Sequence, residues 1–347
     1  MKNIYDYIEE YGDDNIVKIN SLDALIFSRL SYVHIEDLWN MLPFTISDLN
    51  NYIKGIGKIK ISSKDKKLVE LLSKKKRFKD LVILGCKNIF NKTEGIQFFA
   101  MTIELPDNTL FIAFRGTDKS MIGLMEDVDM SYKIVPSQVC ALSYVLDTKG
   151  YKKIYLGGHS KGGNLAVYAF INAKITKKLQ IKKVYNFDGP GFLETENNSL
   201  SSRINNYYPE GSFIGRMLNG IGKVNVIKSY KNGLEGHNLY NWAVDKDKFI
   251  KGSFNAYSDE FDVSCKRLLN TIKLEKREII IHYIYDLMEK RKINLKEFDI
   301  KKIKNLLSKS PVINKEEKEE LISFLKVLIK VSFIEIAKIG EKNKING

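Results

Sequence analysis

Residues 155–170, YLGGHSKGGNLAVYAF, leave a chain few ways to fold. A short apolar strand, KKIYLGG, runs into glycines, a serine and then a helix-forming run with no loop in between. Within it G-H-S-K-G, residues 158–162, fits G-x-S-x-G, the strand-to-helix elbow that holds a serine on a strained turn with its hydroxyl exposed. The flanking positions must be glycine because neighbouring backbone passes too close for a Cβ. Gly162, Gly163, Ala166, Ala169 and Ala173 then line one helical face, which lets the helix lie close on a sheet. Ser160 is expected to be a nucleophile; the alternative is a plain glycine-rich turn.

The flanking sequence supplies the sheet. IQFFAMTIEL and TLFIAFRG are β-rich runs joined by the turn signal PDN, which predicts a hairpin. PSQVCALSYVLDTKG, residues 136–150, reads as a helix with Pro at its start and Gly past its end. IKKVYNFDGPG and KVNVIKS follow as strands after the serine helix. Strand, helix, strand at crossover spacing is the signature of a parallel sheet covered by helices, so the fold class is α/β. Residues 20–40 carry apolar spacing of three and four after an Asn-Ser cap and predict a helix. From about residue 255 charged and apolar residues alternate at helical period. The expected organisation is a mainly helical segment over 1–80 packed on a core over 81–254, with a helical appendage over 255–347.

A serine hydroxyl needs a general base. The chain has four histidines. His159 sits inside the elbow, where packing or a supporting hydrogen bond is expected of it; His34 and His282 fall in predicted helices. His237 lies in the polar loop YKNGLEGHNLYNW after the last predicted strand, which satisfies the order Ser, Asp/Glu, His of α/β-hydrolases and makes it the expected base. The orienting acid should lie between them: Asp188, Glu194, Glu196, Glu210 or Glu235. Asp188 follows an apolar strand and precedes Gly-Pro-Gly, and is preferred. Glu210, in NYYPEGSF, is the rival. The oxyanion donors are expected from the Lys161 backbone N–H, with its side chain incidental, and from Thr117 in FRGT, through its N–H and hydroxyl.

The formal charge of +14 raises nucleic acid or an anionic membrane as partners. Residues 54–80 hold eleven basic and three acidic residues, but no aromatic residue interleaves until Phe78, so no specific nucleic-acid partner is expected and weak contact with an anionic membrane surface stays open. Three scattered cysteines form no CxxC pair, and neither metal nor cofactor is expected. The start lacks the basic and apolar regions of a signal peptide, and the apolar stretch 321–340 is broken by Lys326, Lys330, Glu335 and Lys338, as in an amphipathic helix. A cytoplasmic location is expected.

Taken together, FRGT, GGHSKGGNLAVY, YNFDGPGF and the late GH resemble the α/β-hydrolase superfamily in its class 3 lipase arrangement. The longer segments FRGTDKSMIGLMEDVDMSY and PSQVCALSY resemble the bacterial Mbeg1-like family, across residues 20–245. Leu124 departs from the family's Trp. The resemblance implies a serine hydrolase with Ser160 as nucleophile and Thr117 and Lys161 at the oxyanion, and does not supply the substrate; the leading reading is a lipase-like enzyme cleaving an ester or thioester. It places the acid of class 3 lipases near YYPEGSFIG, which keeps Glu210 in view. Residues 118–132 occupy the place of a lid, with Met121, Ile122, Leu124 and Met125 available to meet acyl chains or the core. A catalytically idle scaffold that binds a partner is the alternative function.

Overall fold

The computed structural model describes residues 2–16, 18–56, 61–118, 121–193, 200–290 and 313–327. Its centre is an eight-stranded sheet whose spatial order follows the chain: β1 (Phe44–Thr45), β2 (Val82–Asn91), β3 (Ile96–Leu105), β4 (Thr109–Phe114), β5 (Lys153–His159), β6 (Ile181–Phe187), β7 (Ile204–Pro209) and β8 (Lys223–Ile227). The first four pair antiparallel and β4 to β8 pair parallel. This is an α/β-hydrolase fold.

Burial follows from covering both faces. Every residue of β4, TLFIAF, is buried, as a strand between two helical layers requires. On one face Phe99, Phe111 and Phe187 meet residues of helices α1 (Ile4–Tyr11) and α2 (Ser21–Leu30), including Ile4, Leu25 and Phe27. Helices α3 (Ile46–Ile56) and α4 (Ser63–Leu72) add Leu49, Leu68 and Leu72 to that layer. On the other face Phe98, Ile112 and Phe114 meet residues that follow helix α5 (Met121–Asp129): Ala141 and Val145 of α6 (Pro136–Asp147), and Ala166 and Phe170 of α7 (Lys161–Asn172). The alternation Phe98/Phe99 and Phe111/Ile112 is the period-two signature of strands facing two cores.

The predicted hairpin is β3–β4. Its turn places Asp107 and Asn108 at φ +60° and +51°, a conformation that Asp and Asn tolerate best among residues with a Cβ. The helix predicted over 20–40 stops at Leu30 instead, and a 3₁₀ turn covers Ile35–Met41. Arg115 meets the chain just past that end: its guanidinium donates to the carbonyls of Ser31 (2.5 Å) and Val33 (3.1 Å) and clasps the Glu36 carboxylate, which satisfies carbonyls that have no helical partner. Strand β2 was not expected at all; it is partly exposed along its length and lacks clean alternation.

Several basic residues of 54–80 are committed internally. Arg77 pairs with buried Asp23, Lys75 with Asp13 and Lys74 with Glu70. Residues 57–60 of that run lie outside the described residues.

Beyond α8 (Ile175–Gln180) and the single-turn α9 (Gly233–Gly236), the chain continues into α10 (Ala256–Thr271), α11 (Leu274–Lys290) and a helix described over 315–327. These C-terminal helices are tied to the loop after β7: the Ser258 hydroxyl donates to the Ser212 carbonyl (2.7 Å), and Arg216 pairs with Asp262 (2.7 Å). The part of the predicted 321–340 helix beyond 327 lies outside the described residues. Among the described residues no helix is long and apolar enough to cross a membrane.

Candidate active site

Ser160 joins β5 to α7 at φ +57°, ψ −135°. For a residue with a Cβ this left-handed turn costs of order 1–3 kcal/mol and persists only because its surroundings enforce it. The Ser160 N–H donates to Phe187 O (3.0 Å), and Gly163 N–H donates back to Ser160 O (2.8 Å). Close approach explains the glycines. A Cβ on Gly158 would lie 2.2 Å from the Gly162 carbonyl oxygen, and one on Gly116 would lie 2.5 Å from the His159 carbonyl oxygen. The FRGT loop therefore rests on the elbow.

Asp188 leaves β6 in a second left-handed turn, φ +51°, and is buried. Its loop is held by Asn164 of α7, whose amide donates to the carbonyls of Pro190 (3.1 Å) and Gly191 (2.8 Å). One carboxylate oxygen accepts from the Ser212 hydroxyl and the Gly215 N–H; the other lies 2.7 Å from His237 Nδ1. A ring proton on Nδ1 satisfies that contact and leaves Nε2 as the acceptor.

His237 caps the end of α9, with its side chain 21% exposed. His159 packs against it, ring centroids 4.2 Å apart and the planes tilted by 34°. His159 Nε2 donates to the His237 carbonyl (2.8 Å), and Nδ1 accepts from the Tyr32 hydroxyl (3.0 Å). Burial, then the neighbouring His237 and Arg29, hold the His159 ring well below its ordinary pKa. It is a neutral brace for the His237 backbone, with its proton committed.

Of the two competing carboxylates, the structure brings Asp188 to His237 and not Glu210. Glu210 continues the β7–β8 pairing through its N–H to Ile227 O (3.0 Å), and its carboxylate lies against Gly252. The YYPEGSFIG segment instead sends Ser212 and Gly215 to Asp188. Glu235 faces Lys231 (3.5 Å), and Glu194 and Glu196 lie outside the described residues. His34 meets Glu36 (2.8 Å), and His282 is exposed.

Lys161 opens α7, where helix N–H groups lack intrahelical acceptors. Its side chain, incidental to the oxyanion, has partners of its own. Nζ is fully buried, 2.7 Å from Glu126 Oε2 and 2.9 Å from both Gln97 oxygens. Glu126 also accepts from the N–H groups of Ser137 (2.9 Å) and Gln97 (3.3 Å), which pins that part of α5, the segment expected as a lid. The side chains of Met121, Ile122 and Leu124 lie outside the described residues.

Next to Glu126, Asp127 accepts the Thr117 hydroxyl (2.5 Å), so that proton is committed and the Thr117 backbone N–H remains as the candidate oxyanion donor. The other Asp127 oxygen is buried without a partner. Burial pushes this carboxyl up from its ordinary 3.8 to about 6, against the pull of Lys161 and Thr117 and with Glu126 adding to the rise. A raised acid contributes stability that is complete below pH 3.8 and is lost as pH rises through about 6. The melting-temperature advantage of wild type over Asp127→Asn is therefore expected to shrink between those values in a thermal-melt series. A gap constant across that range would show that Asp127 titrates normally.

A profile of the Mbeg1-like family matches residues 72–286, from the end of α4 into α11. Among solved structures the chain is similar to the M37 lipase, at 18% identity over 58% of this chain and 70% of that one, TM-score 0.36. It is also similar to a fungal lipase in an inhibitor complex, at 13% identity over 61% and 81%, TM-score 0.37. No curated protein matches significantly.

Proposed function

The chain belongs to the Mbeg1-like family, and from that premise we propose that it is a serine hydrolase cleaving a carboxylic ester or thioester through an acyl-enzyme on Ser160. The observation that carries this reading is the contact of 2.7 Å between His237 Nδ1 and a buried Asp188 that is itself held by Ser212 and Gly215. His237 Nε2 takes the proton as Ser160 Oγ attacks the carbonyl carbon, and Asp188 stabilises the resulting imidazolium. The N–H groups of Lys161 and Thr117 receive the oxyanion. The carbonyl then re-forms, the bond to the alcohol or thiol breaks, and His237 returns the proton to the leaving group. Water, deprotonated by the same ring, releases the acid and frees the serine.

A fluorophosphonate tests this directly. Ser160 Oγ forms a bond to phosphorus, fluoride leaves, and mass spectrometry locates the adduct. Labelling at Ser160 that disappears in Ser160→Ala is expected. Equal labelling of the two proteins would remove the reading and favour the scaffold alternative.

A further inference from the structure

A cavity of ≈ 350 Å³ shares Ser160, Lys161 and Asp127 with the candidate active site. Most of its remaining walls come from elements outside the sheet. Phe261 and Cys265 of α10, Ile280 of α11, and Leu321 and Phe324 of the 315–327 helix all line it. They also pack on one another, with the Phe261 and Phe324 rings 5.6 Å apart. Arg277 borders the cavity, but its guanidinium donates to the carbonyls of Ser131, Leu269 and Ile272, so it ties α11 to the end of α10 and to the chain after α5. With Arg277 so committed, the rest of the lining is mostly apolar, Asp127, Ser131, Ser160 and Lys161 being its other polar residues.

We propose that this cavity is the acyl site and that the C-terminal helices set which acyl groups the protein accepts: an apolar chain of medium length, about ten carbons. The proposal rests on the serine-hydrolase reading. The volume lies near the lower end of small-molecule sites, roughly 300–1,000 Å³. That is room for an acyl chain of medium length, on the order of ten carbons. A chain bonded to Ser160 needs no ionic partner beyond it, whereas a charged group would meet a lining that is mostly aliphatic and aromatic.

Alkyl fluorophosphonates bearing an ethyl or a decyl chain on phosphorus read the cavity through the rate of Ser160 labelling. Each methylene taken fully out of water strengthens binding about fourfold, so the decyl probe's extra methylenes would give on the order of 10⁴–10⁵-fold if all were buried; with about half of that free energy realised, wild type should react on the order of 10²-fold faster with the decyl probe than with the ethyl probe. Cys265→Phe, which fills the cavity, should cut that ratio at least tenfold, and Phe324→Ala, which enlarges it, should move the preference toward a tetradecyl probe. Val263→Phe, on the exposed side of α10, should leave the ratio unchanged. Equal decyl-to-ethyl ratios in wild type and Cys265→Phe, with no shift in Phe324→Ala, would overturn the proposal. Calorimetric titration of Ser160→Ala with decanoate reads the cavity without any chemistry. One-to-one binding, weakened at least tenfold by adding Cys265→Phe, is expected. No saturation would overturn the acyl site even if Ser160 labels, whereas saturable binding without labelling would leave the site and remove the hydrolase.

Discussion

Under the proposed mechanism, Asp188→Asn is expected to lower kcat for any ester the wild type turns over by about 10⁴-fold, while Glu210→Gln is expected to stay within a factor of about two. The substitution removes one negative charge and little else. Asp188 sits at φ +51°, and Asn is the residue best able to keep that backbone, so the Gly189-Pro190-Gly191 loop and its hydrogen bonds to Asn164 survive. What is lost is the carboxylate 2.7 Å from His237 Nδ1. Without it the imidazole no longer has its proton fixed on Nδ1, and the imidazolium formed during attack is unsupported. Because the defect lies in the transition state and not in substrate binding, kcat and kcat/KM fall together and KM changes little. Glu210 is the control, since its carboxylate lies against Gly252. A dead Glu210→Gln beside an active Asp188→Asn would reassign the acid and leave the nucleophile untouched.

The choice between those two carboxylates shows where sequence reading succeeds. The elbow is local: strand, glycines, serine and helix are contiguous, and the steric demand that identifies them acts over a few residues. The PDN turn of the β3–β4 hairpin is local for the same reason. Asp188 stood out because an apolar strand and a rigid turn flank it, but Glu210 could be set aside only with the fold in hand, because the direction of its side chain depends on how β7 pairs with β8. Long-range contacts hid the rest. The non-helical chain after Leu30 is held by Arg115, far along the chain. The brace formed by Tyr32 and His159 joins residues 127 positions apart. The cavity walls come from helices whose amphipathic pattern says only that one face is buried, and nothing about what it is buried against.

The adjacent acids of LMEDVDM carried a signal that went unread. Glu126 meets Lys161 of the elbow and Asp127 meets Thr117 of the FRGT loop, so one dipeptide on α5 secures the residues on both sides of the candidate oxyanion. A Lys directly after the serine, together with a Glu-Asp pair in the helix that follows FRGT, was the available clue. A lysine with no partner would not be placed in a buried elbow.

Lys161→Met therefore destabilises the protein by about 3–5 kcal/mol, the cost of leaving one member of a buried ion pair without the other. Lys161 and Glu126 side chains are 0% and 1% exposed, so water cannot replace the lost ammonium. The Glu126 carboxylate keeps only the Ser137 and Gln97 N–H groups, and the two Gln97 oxygens lose their shared donor. Met matches the aliphatic stem of Lys, so the loss is electrostatic and not a cavity. For a chain of this size a drop of about 5–10 °C in melting temperature follows. The double variant Lys161→Met/Glu126→Leu should recover most of it, because an apolar pair of similar volume is often as stable as the buried ions it replaces. Recovery separates a pair held for its own charge balance from one that α5 needs as a tether. If the double variant regains stability and still turns over ester poorly, the ion pair is what keeps Asp127 beneath Thr117; a single variant within about 1 kcal/mol of wild type would show that the buried carboxylate finds another partner.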